Sequence, residues 1–99
     1  TSVPSYVKVE RVNQDEVPKE ISIRMMTVDE GVEEVKKYLE KAFLAGLKRV
    51  RIVHGKGTGK LRNAVHDYLS KVPYVKEYYL APPNEGGEGA TIVILDSPV

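Results

Sequence analysis

The chain has 99 residues, with 15 lysines and arginines against 14 aspartates and glutamates, two histidines and no cysteine. That length suits one domain with a modest core. A net charge of +1 means that bulk charge does not announce a nucleic-acid binder, and the distribution of charge says more. The lack of cysteine excludes disulfides and thiolate metal sites, which fits a cytoplasmic setting. No apolar run is long enough to span a bilayer and no signal peptide is recognisable, so no membrane partner is expected. The chain opens on Thr1, not Met, and is expected to be a segment of a longer protein.

Residues 1–18 are expected to be an N-terminal extension, either a linker or an edge strand. Pro4, Asn13 and Pro18 surround a stretch in which Val7 and Val9 alternate with charged residues. The domain proper is expected over 19–96. Residues 21–25 read as a short strand. Thr27 then has the features of a helix N-cap, with Glu30 completing a capping box. Val32, Val35, Leu39, Ala42 and Phe43 follow helical spacing, and Gly46 is the expected stop. Gly31 inside this helix costs about 1 kcal/mol relative to alanine, for no reason visible in the sequence.

Residues 48–53 form the next expected strand. A second helix follows with Leu61, Ala64, Val65, Tyr68 and Leu69 on its inner face, and Pro73 prevents its continuation. Residues 74–81 read as a third strand and 82–89 as a long turn-rich loop. Residues 90–95 are a near-continuous apolar run, a strand covered on at least one face. The order strand, helix, strand, helix, strand, strand gives an α/β two-layer sandwich, with two helices on one face of a four-stranded mixed sheet. The other face is expected to be more open.

Between the second strand and second helix lies His54-Gly55-Lys56-Gly57-Thr58-Gly59-Lys60-Leu61-Arg62. Alternate glycines let the backbone approach a ligand closely, and the helix start offers unpaired N–H groups and a partial positive charge. From 47 to 62 every charged residue is basic: Lys48, Arg49, Arg51, Lys56, Lys60 and Arg62. These features point to a loop that holds a phosphodiester backbone. Two nucleotide loops fail to match. The mononucleotide P-loop would need glycine at His54 and a hydroxyl at Leu61, and the dinucleotide fingerprint has a different glycine spacing.

Three stretches together resemble the Smr (small MutS-related) domain: residues 45–62 around His54-Gly55-Lys56-Gly57-Thr58-Gly59-Lys60, residues 82–91 with Gly86-Gly87-Glu88-Gly89, and residues 21–30 with Ile21-Ser22-Ile23-Arg24-Met25. They look closest to the version at the C-terminus of the bacterial MutS paralogue. The resemblance implies a fold similar to the C-terminal domain of translation initiation factor three. It also implies nucleic-acid binding, with nicking or endonuclease activity in several members. The implied partners are DNA or RNA, the ribosome in members that act on stalled ribosomes, and the rest of a larger MutS-like ATPase linked to recombination suppression. The family's opening motif usually carries aspartate where this chain has Ser22 and glycine where it has Met25. A catalytically inactive binding module is therefore the alternative to a nuclease.

His54 and Arg24 are the catalytic candidates. An imidazole titrates near neutrality and suits proton transfer, and Arg24, Lys56 and Lys60 suit charge stabilisation on phosphate. The competing reading of His54 is a strand-end residue that fixes the loop by hydrogen bonding. Gly55, Lys56, Gly57, Thr58, Gly59, Lys60, Arg62 and Arg51 are the candidate nucleic-acid contacts. Thr58 is expected to cap the second helix, and Arg62 either reaches phosphate or pairs with Glu77 or Asp67. His66 is expected to be a surface or partly buried helix residue. Tyr74, Tyr78 and Tyr79 either stack on bases or pack in the core. Glu85 and Glu88 are candidate replacements for the missing acid. The two histidines lack a usual metal-ligand spacing, so the expected cofactor is none, or a magnesium or manganese ion held through substrate phosphates.

Overall fold

The computed structural model describes residues 16–97. They run β1 (Glu20–Ser22), α1 (Val28–Leu44), β2 (Arg49–Val53), α2 (Lys60–Leu69), β3 (Val75–Leu80), two 3₁₀ turns (Pro83–Glu85 and Gly87–Gly89) and β4 (Ala90–Leu95). The expected strand around residues 6–12 lies outside the described residues.

The sheet order is β1-β2-β4-β3. β1 pairs parallel with β2, and β4 pairs antiparallel with both β2 and β3. Both helices pack on one face, where Ile23, Val35, Leu39, Val50, Ile52, Val65, Leu69 and Val93 are buried together. The two-layer sandwich expected from the element order is the observed architecture.

α1 starts as its sequence dictates. The Thr27 hydroxyl accepts the Glu30 N–H at 3.2 Å, and the Glu30 carboxylate accepts the Thr27 N–H at 3.0 Å. These bonds hold the Glu30 carboxyl below its usual range. The helix closes at Ala45, and Gly46 follows at φ 79°. Gly31 has a tertiary reason. A Cβ there would lie 2.7 Å from Leu61 Cδ1 and 3.3 Å from Ile23 Cδ1. A methyl there would press on the Leu61 and Ile23 side chains where α1 packs on α2.

Three expectations need correction. The first strand ends at Ser22, not residue 25, because Ile23 to Met26 form a turn closed by Met26 N–H donating to Ile23 O at 3.2 Å. The far face of the sheet is not open. Ala81, Ala90 and Ile92 are buried there with Val53 and Ile94 against them. Arg49 and Arg51 project on that face and bind the 82–89 loop through Glu85, which folds the loop back over the sheet. β4 is thus a central strand covered on both sides, which is why it reads as a continuous apolar run. Finally, Val17 is buried in the main core and Pro18 O accepts the Tyr38 hydroxyl, so these residues pack as part of the domain.

Candidate nucleic-acid interface

The loop after β2 is anchored at its root. His54 and Gly55 both donate their backbone N–H to Gly89 O, at 3.0 and 2.8 Å. The 82–89 loop and the glycine loop are therefore tied together. His54 turns its ring toward the helices and is only 4% exposed. Its Nδ1 lies 2.9 Å from Gly55 O. A carbonyl only accepts, so Nδ1 carries the hydrogen and Nε2 is the acceptor. Thr91, wholly buried, donates its hydroxyl to that Nε2 at 2.8 Å. The same oxygen receives the Nε2–H of His66, also at 2.8 Å. His66 in turn sits edge-on to Tyr78, with ring centroids 5.1 Å apart.

Burial pushes both imidazoles below their ordinary pKa. For His54 the bond to Gly55 opposes this and the Arg62 charge adds to it. For His66 the nearby His54 and Arg62 add to burial. The ring of His54 holds the loop root with both nitrogens engaged. Proton transfer to a substrate would require it to release Gly55 or Thr91.

Past His54 the loop opens into a cavity of about 350 Å³, lined by residues 54–62 together with Met26, Thr27 and Val28. Two helix starts meet there, and they differ. The start of α1 is closed by its capping box. The start of α2 is not. Its N-cap is Gly59 in the left-handed conformation at φ 86°, with no side-chain cap and no acid in the first turn. The expectation that Thr58 caps this helix is therefore corrected; its Oγ1 is 3.4 Å from Lys60 N, a marginal contact. A Cβ on Gly59 would lie 2.7 Å from an Arg62 guanidinium nitrogen, so the arginine folds over the bare backbone. Lys56, Lys60 and Arg62 line the same cavity as this helix start, whose amides meet no side chain closer than the 3.4 Å contact from Thr58. Such an arrangement suits an anion.

Arg24 joins this group. Its stem lies against Gly55, where a Cβ would be 3.3 Å from Arg24 Cγ. Arg51 does not. It faces the far side of the sheet, pairs with Glu20 through Nε at 2.7 Å and donates to Glu85 O at 2.9 Å. Arg62 Nε contacts Asn63 Oδ1 at 3.4 Å, while Asp67 pairs with Lys71. Ser22 pairs with Val53 in register and so shares its far face, opposite to the His54 ring. Glu85 is bound to Arg49 at 3.0 Å, and Glu88 is exposed. Tyr74 stacks on Phe43 at 4.4 Å and Tyr78 packs on His66; Tyr79 is 41% exposed on the far face. Among the described residues no three His, Cys, Asp or Glu gather as a metal site. No helix of the described residues is long and apolar enough to cross a membrane.

Sequence reasoning missed Thr91. The available signal was one hydroxyl in an apolar run, since a polar side chain in a buried strand needs a partner. The involvement of His66 carried no such signal.

The family model of the Smr domain matches residues 21–96. The chain is 53% identical over 76 residues to the protein named Endonuclease MutS2 of Carboxydothermus hydrogenoformans, covering 77% of this chain and 10% of that one. It is 49% identical over 80 residues to the Endonuclease MutS2 of Thermomicrobium roseum, covering 81% and 10%. The chain thus spans about a tenth of the length of these curated relatives. The fold is similar to the crystal structure of the Smr domain of Thermus thermophilus MutS2, with TM-score 0.77, 45% identity and coverage of 79% of this chain and 98% of that one. It is also similar to YdaL, a stand-alone small MutS-related protein from Escherichia coli, with TM-score 0.71, 26% identity and coverage of 98% and 80%. The glycine loop, the capped and uncapped helix starts and these likenesses lead to one assignment: the chain belongs to the Smr domain family.

Proposed function

We propose that this chain is a nucleic-acid-binding module with endonuclease activity, acting as part of a larger MutS-like protein on branched DNA or on stalled ribosomes. One observation carries the binding: the uncapped start of α2, ringed by Lys56, Lys60 and Arg62 around a cavity of about 350 Å³. Helix-start amides and cations line one cavity there, a combination that suits a phosphodiester. Arg24, laid over Gly55, adds a guanidinium that suits charge stabilisation on the phosphate. Cleavage rests on the relatives, whose shared name is Endonuclease MutS2. A magnesium or manganese ion would enter held through substrate phosphates.

A second reading has its own support. Ser22 stands where the resemblance expects an aspartate, and both nitrogens of His54 are engaged inside the fold. The module would then bind without cutting.

The deciding experiment is plasmid nicking and RNA cleavage by the purified chain with magnesium, manganese or chelator, beside His54→Ala with its folding checked by circular dichroism. Cutting by the native chain that folded His54→Ala lacks establishes a nuclease that depends on His54. Cutting that persists in this variant places the chemistry on other groups. Salt-sensitive binding without cutting establishes the second reading.

A further inference from the structure

Thr91 serves two imidazoles with a single hydroxyl. His54 Nε2 and His66 Nε2 each lie 2.8 Å from its Oγ1. A hydroxyl has one hydrogen to give and two lone pairs. It therefore donates to one ring and accepts from the other, and the chain of bonds can run in two directions. In the neutral chain it runs from His66 through Thr91 to His54, because Gly55 O holds the His54 Nδ1–H at 2.9 Å. The reverse direction needs one added proton. His54 then donates its Nε2–H to Thr91, and Thr91 donates to His66, whose own hydrogen sits on Nδ1. Two added protons break the chain. Both Nε2–H groups would point at Thr91 Oγ1, and the hydroxyl hydrogen would lose its acceptor in a wholly buried setting. The surroundings also oppose a second charge. On α2 the Arg62 cation acts on both rings, β3 offers the edge-on Tyr78 ring, and the loop offers the Gly55 carbonyl. The two rings differ in access. His54 is buried with both nitrogens bonded. His66 is half-buried, and among the described residues its Nδ1 has no protein partner.

We propose that His66 and Thr91 are positioning residues that carry a proton between solvent and the buried His54, so that the two imidazoles hold one shared proton and His66 is its port. A proton is taken up at His66 Nδ1. The His66 Nε2 hydrogen moves to Thr91 Oγ1, and the Thr91 hydrogen moves to His54 Nε2. Each N–H or O–H bond broken along the way is matched by one formed, and the net change is one solvent proton delivered to His54. The use of that proton in cleavage rests on the nuclease reading. His54 and Gly55 both line the loop cavity. The charged His54 gives its Nδ1–H to the departing oxygen of the phosphodiester and stays neutral with its hydrogen on Nε2. A buried imidazole cut off from solvent could act once as a general acid; the chain through His66 restores it for the next turnover.

The test uses the whole chain with its histidine rings labelled with nitrogen-15, beside Thr91→Ser, Thr91→Val and His66→Gln, each checked for folding by circular dichroism. Both rings are followed by NMR as the pH is lowered from neutral. In the native chain they should respond together in one step, and that step should take up about one proton for the pair. Thr91→Ser keeps the hydroxyl and should keep the joint step. Thr91→Val should give each ring its own proton at its own midpoint. Separate midpoints in the native chain overturn the shared proton, as does a joint step that survives in Thr91→Val. Plasmid nicking tests the use of the proton. Glutamine can still hydrogen-bond Thr91 but cannot take up a proton, so His66→Gln should lower kcat by roughly a hundredfold with KM unchanged. If this variant cuts at the native rate, the relay falls and the nuclease reading stands. If the native chain binds nucleic acid without cutting, the nuclease reading falls and the cleavage role of His66 with it, while the titration still upholds or overturns the shared proton.

Discussion

His54 and His66 share one hydroxyl. The Nε2 atom of each lies 2.8 Å from Thr91 Oγ1, and their ring centroids are 6.2 Å apart. Because Gly55 O takes the His54 Nδ1–H, every hydrogen in this network has a direction: His66 donates to Thr91, Thr91 to His54, and His54 to the loop backbone. The network joins α2, β4 and the root of the glycine loop, which are the parts that must stay in register for the cavity to exist.

Thr91→Val keeps the shape of the side chain and removes the bridge. Two ring nitrogens are then left without their shared partner in a buried setting, at a cost of about 1–3 kcal/mol. We expect Tm to fall by about 5–15 °C in a thermal melt. A melt unchanged from the native chain would show that the hydroxyl contributes nothing to stability.

Stability should fall as pH drops below the ordinary histidine range. Burial lowers both folded-state values, so between those values and the ordinary one of about 6.5 the unfolded chain binds more protons than the folded chain. The stabilisation is complete above that ordinary value and is lost on acidification towards the folded values. Denaturant midpoints at pH 7.5 and 5.5 should differ in that direction, and His66→Gln should flatten the slope. Glu30 acts in a separate window, at and below the carboxylate range.

Gly31→Ala should destabilise despite alanine's better helix propensity. The added methyl would meet Leu61 Cδ1 at 2.7 Å. Overpacking of this kind costs about 1–3 kcal/mol, against a propensity gain of about 1 kcal/mol. Adding Leu61→Ala removes the clashing group, so a double-mutant cycle should show favourable coupling between the two changes. Additive effects would refute the close approach.

Lys56→Ala with Lys60→Ala should weaken nucleic-acid binding and lower the salt slope by about one for each phosphate that the lysines no longer neutralise. Arg51→Ala should leave that slope unchanged, since Arg51 is held by Glu20 and the Glu85 carbonyl on the far face. A slope that drops equally in both would place the strand across the sheet instead of in the loop.

Much of the fold was legible from local rules. The capping box at Thr27 and Glu30, the stop at Gly46 and the apolar run of β4 each follow from neighbours along the chain. The candidate site could be proposed as a set of residue types; in the structure Lys56, Lys60 and Arg62 line one cavity and the Arg24 stem lies against Gly55. Arg51 was grouped with them because it is close in sequence. Strand alternation turns its side chain to the opposite face of the sheet from its neighbours Val50 and Ile52.

What the sequence determined by itself is the order of elements, the helix start of α1 and the place of the glycine loop, because these depend on spacing, caps and glycine within a few residues. Only the tertiary structure decided that Gly31 is needed for close approach to Leu61, that β4 is covered on both faces, and that His54 is closed off by Thr91 and His66. Each of these is a contact between residues far apart in the chain, and such contacts exist only once sheet order and register bring their elements together.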